Sequence, residues 1–232
     1  MKKIYSFIFL FAMGVSLNAQ KILFIGDSIT DGKWGYECDG TRNTDDMNHI
    51  FGHGYMYLIA AKYMAVYPDS AMQFYNRGIS GNTVKDLAER WDSDVLSVNP
   101  DVLSVLIGIN DVLNDNPSVD TVAFEKTYRE ILTKSRTQNS NLVILLGEPF
   151  CESGFRIDSE GVIRKKCEAL SRAVQRIAKD YDASFIPYQA FFDKLSKESG
   201  DTSYWIWDGV HPTPAGHYKM SVLWEQHLPI KK

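Results

Sequence analysis

A serine, an aspartate and a histidine in this chain have the types and placement to do chemistry together. Ser28 stands in Ile22-Leu23-Phe24-Ile25-Gly26-Asp27-Ser28, where a short apolar run stops abruptly at a glycine. About 180 residues later the chain reads Asp208-Gly209-Val210-His211-Pro212. A serine hydroxyl becomes a nucleophile when a neighbouring imidazole takes its proton, and a carboxylate holds that imidazole in the reactive tautomer. The order along the chain is Ser, Asp, His. The chemistry such a set would perform is acyl transfer from a carbonyl compound.

These residues need a frame that brings distant segments together. Short apolar runs at residues 21–25, 72–76, 102–107, 142–146 and 183–187 predict strands covered on both faces. Ile163, Cys167, Leu170, Val174, Ile177 and Tyr181 recur at helical spacing and predict a helix over 162–181. Val122, Phe124, Tyr128, Ile131 and Leu132 predict another over 118–137. Asn82 is placed to cap a helix over 83–97. Thr213-Pro214 opens the last one with proline in its first turn. Strand and helix alternate along the whole chain. The expected fold is therefore α/β: a three-layer α/β/α sandwich around a mostly five-stranded parallel sheet, with right-handed crossovers. A serine just past the carboxyl end of the first strand lies where ligands bind in such sheets. Residues 31–54, rich in Gly, Asp and Asn, read as a long loop beside that serine. Its aromatic residues Trp34, Tyr36 and Phe51 either stack on a substrate or pack the loop onto the body.

Bulk properties narrow the classes. With 44% hydrophobic and 12% aromatic residues among 232, the chain can bury a core and suits one domain. A formal charge of −4, with no basic run beyond the N-terminus, argues against a nucleic-acid partner. Lys2-Lys3, the apolar stretch 4–17 and Ala19 form the pattern of a signal peptide over 1–19, leaving a domain over 20–232. The chain is then periplasmic or secreted, has no integral membrane segment after cleavage, and carries a charge of about −6. Export permits disulfides. Of Cys38, Cys151 and Cys167, the last two can pair, and Cys167 also fits as a small core residue.

Four segments together resemble the SGNH, or GDSL-type, serine esterase (acylhydrolase) superfamily. They are Gly26-Asp27-Ser28-Ile29-Thr30, the run Asn76 to Thr83 with Gly81, Gly108-Ile109-Asn110-Asp111, and Asp208-Gly209-Val210-His211-Pro212. Ile29 stands where the name motif has leucine. The resemblance spans residues 22–228 and implies a flavodoxin-like fold. It implies Ser28 as nucleophile, His211 as base and Asp208 as its orienter. It also implies three oxyanion donors: the backbone N–H groups of Ser28 and Gly81 and the side-chain amide of Asn110. Asp27 and Asp111 are expected to hold the loops of the site.

Two rival constellations are weaker. Gly78-Ile79-Ser80-Gly81 resembles a nucleophile elbow, but Asn82 breaks the pattern. Asp45, Asp46, His49 and His53 suggest a metal site, without the glutamate of a zinc peptidase between the histidines. No metal and no cofactor is therefore expected. His217 is expected on the surface of the last helix and His227 near its end. The reading is an exported carboxylic ester hydrolase working through an acyl-enzyme, with O-acetylated carbohydrate favoured as the ester substrate. The alternatives are a lysophospholipase or short-chain acyl esterase or thioesterase, and a carbohydrate-binding protein on the same scaffold. Trp34 and Tyr36 are the expected substrate contacts.

Overall fold

A computed structural model describes residues 20–37, 41–43, 45, 47–114, 119–157 and 161–229. The expected signal peptide over 1–19 lies outside the described residues, as do Cys38 and Asp46.

Five strands form one sheet: β1 (Lys21–Gly26), β2 (Gln73–Gly78), β3 (Val102–Leu106), β4 (Val143–Gly147) and β5 (Ser184–Ile186). All neighbouring pairs are parallel, in the order β2-β1-β3-β4-β5. The expected parallel α/β sandwich is what the chain adopts. The strand order reverses between β1 and β3, and such a reversal opens a crevice at the carboxyl ends of the strands.

The helices are α1 (Ser28–Asp31), α2 (Tyr55–Val66), α3 (Val84–Trp91), α4 (Ile109–Asn114), α5 (Thr121–Gln138), α6 (Val162–Asp180), α7 (Tyr188–Ser199) and α8 (Pro214–His227). α2 packs on α8, and α5 packs on both α3 and α6. Every side chain of β3 is buried, as are all of β1 after Lys21, because helices cover both faces. Two buried indoles in this core are matched by serine hydroxyls. The Trp224 indole N–H donates to Ser104 Oγ at 3.0 Å, and that of Trp91 to Ser135 Oγ at 2.9 Å.

Two local readings change. The cap of α3 is Thr83, not Asn82: Thr83 Oγ1 accepts from the Asp86 N–H, and the Asp86 carboxylate accepts from the Thr83 N–H. Such a reciprocal box satisfies two helix-end donors at once, which Asn82 alone cannot. The helix expected over 83–97 is α3 followed by one π-helical turn, Asp92–Leu96. None of the described helices is long and apolar enough to cross a membrane.

Candidate active site

Each loop at the carboxyl end of the first three strands delivers one of the expected residues. Ser28 follows β1 as the first residue of α1. The buried Asp27 caps that short helix by accepting the Ile29 N–H at 3.0 Å. This leaves the Ser28 N–H among the unpaired donors of a helix start. Behind it, the buried Asn76 of β2 donates to the carbonyls of Thr30, Asp31 and Phe51 and accepts from the Gly78 N–H. The turn bearing the serine is thereby tied to the neighbouring strand.

Gly81 follows β2 with φ +86, a conformation glycine adopts without strain, and a Cβ there would meet open space. No hydrogen bond within the described part of the chain uses its N–H. Asn110 lies in the first turn of α4, after β3. One hydrogen of its amide goes to the Asn82 carbonyl at 3.0 Å, which fixes the plane of the carboxamide and leaves the second for a ligand. Asp111 accepts the Val84 N–H at 3.1 and 3.2 Å, and so joins the Asn110 turn to the start of α3. The loop-holding roles expected of Asp27 and Asp111 match these bonds.

The turn from 206 to 212 brings the last two residues. The Trp207 N–H donates to the His211 carbonyl at 3.1 Å, which closes the turn. Asp208 is buried, and its Oδ1 accepts the Val210 and His211 N–H groups at 2.9 and 2.7 Å. Its Oδ2 lies 2.7 Å from His211 Nδ1, and His211 Nε2 lies 2.9 Å from Ser28 Oγ. Burial would raise the Asp208 carboxyl, but the hydrogen bonds from His211 and Val210 hold it below the usual carboxylate range. It is therefore an anion at neutral pH. With Nδ1–H turned to that anion, Nε2 carries the lone pair that faces Ser28. The arrangement is a continuous hydrogen-bonded chain from a half-buried hydroxyl through His211 to a buried carboxylate.

Two carboxyls near this site, the buried Asp27 and the half-buried Asp111, behave differently. Burial pushes Asp27 up to about 7, with Asp111 adding repulsion. Burial likewise raises Asp111 to about 6. His217 is half-buried at the start of α8 rather than on its surface. Its Nδ1 accepts the Tyr55 N–H at 3.2 Å, its ring stacks on Tyr55, and burial holds it down at about 4.

Of the rivals, Ser80 is resolved by its partners, while Asp46 of the metal set lies outside the described residues. Ser80 gives both its N–H and its hydroxyl to Asp31, at 3.0 and 2.6 Å, and Asp31 also receives Arg42 at 2.9 Å. That serine is a ligand for a buried carboxylate. Among the described residues no group of three or more His, Cys, Asp or Glu could hold a metal ion. Cys151 and Cys167 are buried free thiols; the bond considered for them is not formed, and contact with Cys151 and burial both push the Cys167 thiol up.

The loop aromatics separate. Trp34 is buried, donates its indole N–H to the Gly78 carbonyl at 2.8 Å, and has the guanidinium carbons of Arg42 and Arg77 at 4.5 and 5.5 Å from its ring. It is a packing residue, and the stacking role expected of it gives way. Phe51 packs edge-on against Phe74. Tyr36 remains exposed, under the Lys33 ammonium. Sequence reasoning missed a second aromatic pair. Phe155 and Trp207 are 71% and 51% exposed, with ring centroids 5.2 Å apart, and Trp207 directly precedes Asp208. It also missed Arg156, whose Nε lies 2.7 Å from Asp208 Oδ2.

Comparison with known proteins agrees with this geometry. The sequence profile of the GDSL-like lipase/acylhydrolase family matches residues 24–219. An acetylxylan esterase of Geobacillus stearothermophilus is 34% identical over 208 residues, 86% of this chain and 90% of that protein. Its crystal structure superposes with a TM-score of 0.76 at 30% identity, covering 93% and 97% of the two chains. It was also solved as catalytic mutants in which a serine, an aspartate or a histidine is alanine. The aspartate and histidine there are three positions apart, as are Asp208 and His211. A further mutant replaces the tryptophan directly before that aspartate, the place Trp207 holds here. A metagenomic α/β hydrolase from Lake Arreo superposes with a TM-score of 0.76 at 27% identity, covering 92% and 97%.

Proposed function

The chain belongs to the GDSL-like lipase/acylhydrolase family of carboxylic ester hydrolases, and on that premise we propose that it removes acetyl groups from O-acetylated carbohydrate through an acyl-enzyme on Ser28. The observation that carries the reading is the chain of contacts Ser28 Oγ to His211 Nε2 at 2.9 Å and His211 Nδ1 to Asp208 Oδ2 at 2.7 Å. As Ser28 Oγ attacks the ester carbonyl, its proton passes to His211 Nε2. Asp208 stabilises the imidazolium that forms. The carbonyl oxygen becomes an anion, met by the N–H groups of Ser28 and Gly81 and the free amide hydrogen of Asn110. The tetrahedral intermediate collapses, the C–O bond to the alcohol breaks, and His211 returns its proton to the leaving oxygen. Water, deprotonated by His211 in turn, then releases acetate from Ser28.

This proton route orients the substrate. The leaving alcohol must lie against His211, and the acyl group against the oxyanion donors. The exposed rings of Phe155 and Trp207 flank the turn that bears His211. Such exposed rings offer broad apolar faces on which the apolar face of a sugar can stack. The likeness to an acetylxylan esterase points the same way. Tyr36, exposed on the loop after α1, is a second candidate contact.

Export completes the proposal. The carbonyl of Gln20, the residue after the expected cleavage at Ala19, receives the Gln73 N–H at 2.9 Å. N-terminal sequencing of the protein from a periplasmic or culture fraction should begin at residue 20. A panel of acetylated xylo-oligosaccharides, aryl acetates and lysophospholipids tests the substrate. Acetate release from the oligosaccharides should exceed turnover of the lysophospholipids and vanish in Ser28→Ala. Preference for the lysophospholipid would favour the lipase alternative; binding of sugar without turnover would favour a binding protein.

A further inference from the structure

We propose that Arg156 is a positioning residue of the triad, sharing Asp208 Oδ2 with His211 and setting the pH at which the imidazole becomes a working base. The inference rests on the reading of Ser28 as nucleophile.

The geometry is that of a shared acceptor. Asp208 Oδ2 has His211 Nδ1 and Arg156 Nε each at 2.7 Å. The carboxylate is fully buried, whereas Arg156 is 52% exposed, so the guanidinium brings a water-facing positive charge to a buried anion. The segment bearing it is clamped to the catalytic turn. The Glu152 N–H donates to the Gly209 carbonyl at 2.9 Å, and the Arg156 N–H to the Asp208 carbonyl at 3.0 Å. Between them Gly154 lies so close that a Cβ would sit 2.3 Å from the Asp208 carbonyl carbon. Phe155 meets Trp207 edge-on, which holds the segment from its outer side. Arg156 therefore meets Asp208 as a built contact.

The consequence is electrostatic. A buried carboxylate facing His211 alone would favour the imidazolium before any substrate arrives, and an imidazolium cannot accept the Ser28 proton. Arg156 takes up part of that negative charge. Among the described residues His217, at the start of α8, interacts electrostatically with His211, and His53, ahead of α2, with His217. Burial holds His217 at about 4, so it adds no charge in the working range. Arg156 is thus a permanent cation that opposes protonation of the base. Bidentate or shared contacts of this kind use the fixed charge and planar fork of arginine, which lysine only partly reproduces.

The test is the pH dependence of kcat/KM on an aryl acetate for the parent, Arg156→Gln, Arg156→Met and Arg156→Lys. Both neutral variants should move the midpoint of the acid limb upward by about half a unit to one unit, as expected for loss of one charge near a half-exposed site. Arg156→Lys should stay nearer the parent. High salt should shrink the difference between parent and neutral variants. Profiles that superimpose on the parent's would overturn the inference, as would an equal shift in the lysine variant. Failure of both neutral variants to fold while the lysine variant folds would assign Arg156 to the fold and overturn it too. The underlying reading fails separately: turnover retained in Ser28→Ala removes the nucleophile, whereas a missing shift in a Ser28-dependent enzyme refutes Arg156 alone.

Discussion

In the proposed mechanism Ser28 and Asn110 act at opposite ends of the same bond, one attacking the carbonyl carbon and the other receiving its oxygen. The Asn110 amide is already oriented by the Asn82 carbonyl before substrate arrives, which is what makes such a donor effective in the transition state. Asn110→Ala should therefore lower kcat by roughly 10²–10³ with little change in KM. Steady-state kinetics on an aryl acetate checks this; an unchanged kcat with chemistry rate-limiting would remove Asn110 from the mechanism. That Ser28, His211 and Asp208 would come together was legible in the chain because each lies in a short recognisable block. Arg156 was not. Nothing in Gly154-Phe155-Arg156 distinguishes a residue that reaches a buried carboxylate from any basic loop residue. That contact depends on how the segment folds across the 206–212 turn, a pairing with no local signature. Trp34 and Trp207 show the same limit. Trp34 read as an aromatic residue near the site and Trp207 was not singled out; only tertiary burial tells packing from exposure.

At the scale of elements, the strand and helix pattern was legible because parallel strands buried on both faces are written as short apolar runs. The five runs match β1 to β5 within two residues at each end. The cap of α3 was misassigned by one residue, since Asn82 and Thr83 are both good capping types and the choice rests on Asp86 answering Thr83. The loop after α1 was legible as a loop but not in its role. Here two tryptophans make a controlled comparison. Trp34 fills the base of that loop, so Trp34→Ala should lower the melting temperature, with a cost of about 3–5 kcal/mol. Its losses in kcat/KM should be equal on polymer and aryl acetate. Trp207 is exposed beside His211, so Trp207→Ala should leave the melting temperature nearly unchanged. It should lower kcat/KM on acetylated oligosaccharide several-fold and on aryl acetate hardly at all. Thermal melts and the two substrates side by side decide it. Equal losses on both substrates for Trp207→Ala would remove the aromatic pair from substrate binding.

For the whole molecule, the groups that fold the site and the group that runs it respond oppositely to pH. Asp27, pushed by burial to about 7, and Asp111, raised to about 6, keep a proton in the folded chain that the unfolded chain has already lost. The stability they contribute is full below the ordinary carboxylate value of about 4 and drains away as pH rises through 6 to 7. Glu148 is raised by burial and has the same sign. His217, held at about 4, works the other way: its contribution is full above about 6.5 and is lost as pH falls toward 4. Carboxylates held low by partners, such as Asp31 and Asp86, lose their contribution only below about pH 4. Several raised carboxyls outweigh one lowered imidazole between pH 5 and 8, so the melting temperature should fall across that range, by roughly 5 °C or more. Activity should rise over the same range, because the base in the site is a histidine and must be neutral. The enzyme is thus expected to be most active where it is less stable. Asp27→Asn isolates the largest contributor. The amide keeps an acceptor for the Ile29 N–H and cannot ionise, so most of the decline between pH 5 and 8 should disappear, with the variant melting above the parent at pH 8. Calorimetry of parent and variant at the two pH values measures it. A parent whose melting temperature rises from pH 5 to 8 would mean that Asp27 is ionised in the folded chain, and that the serine turn is built around a buried anion.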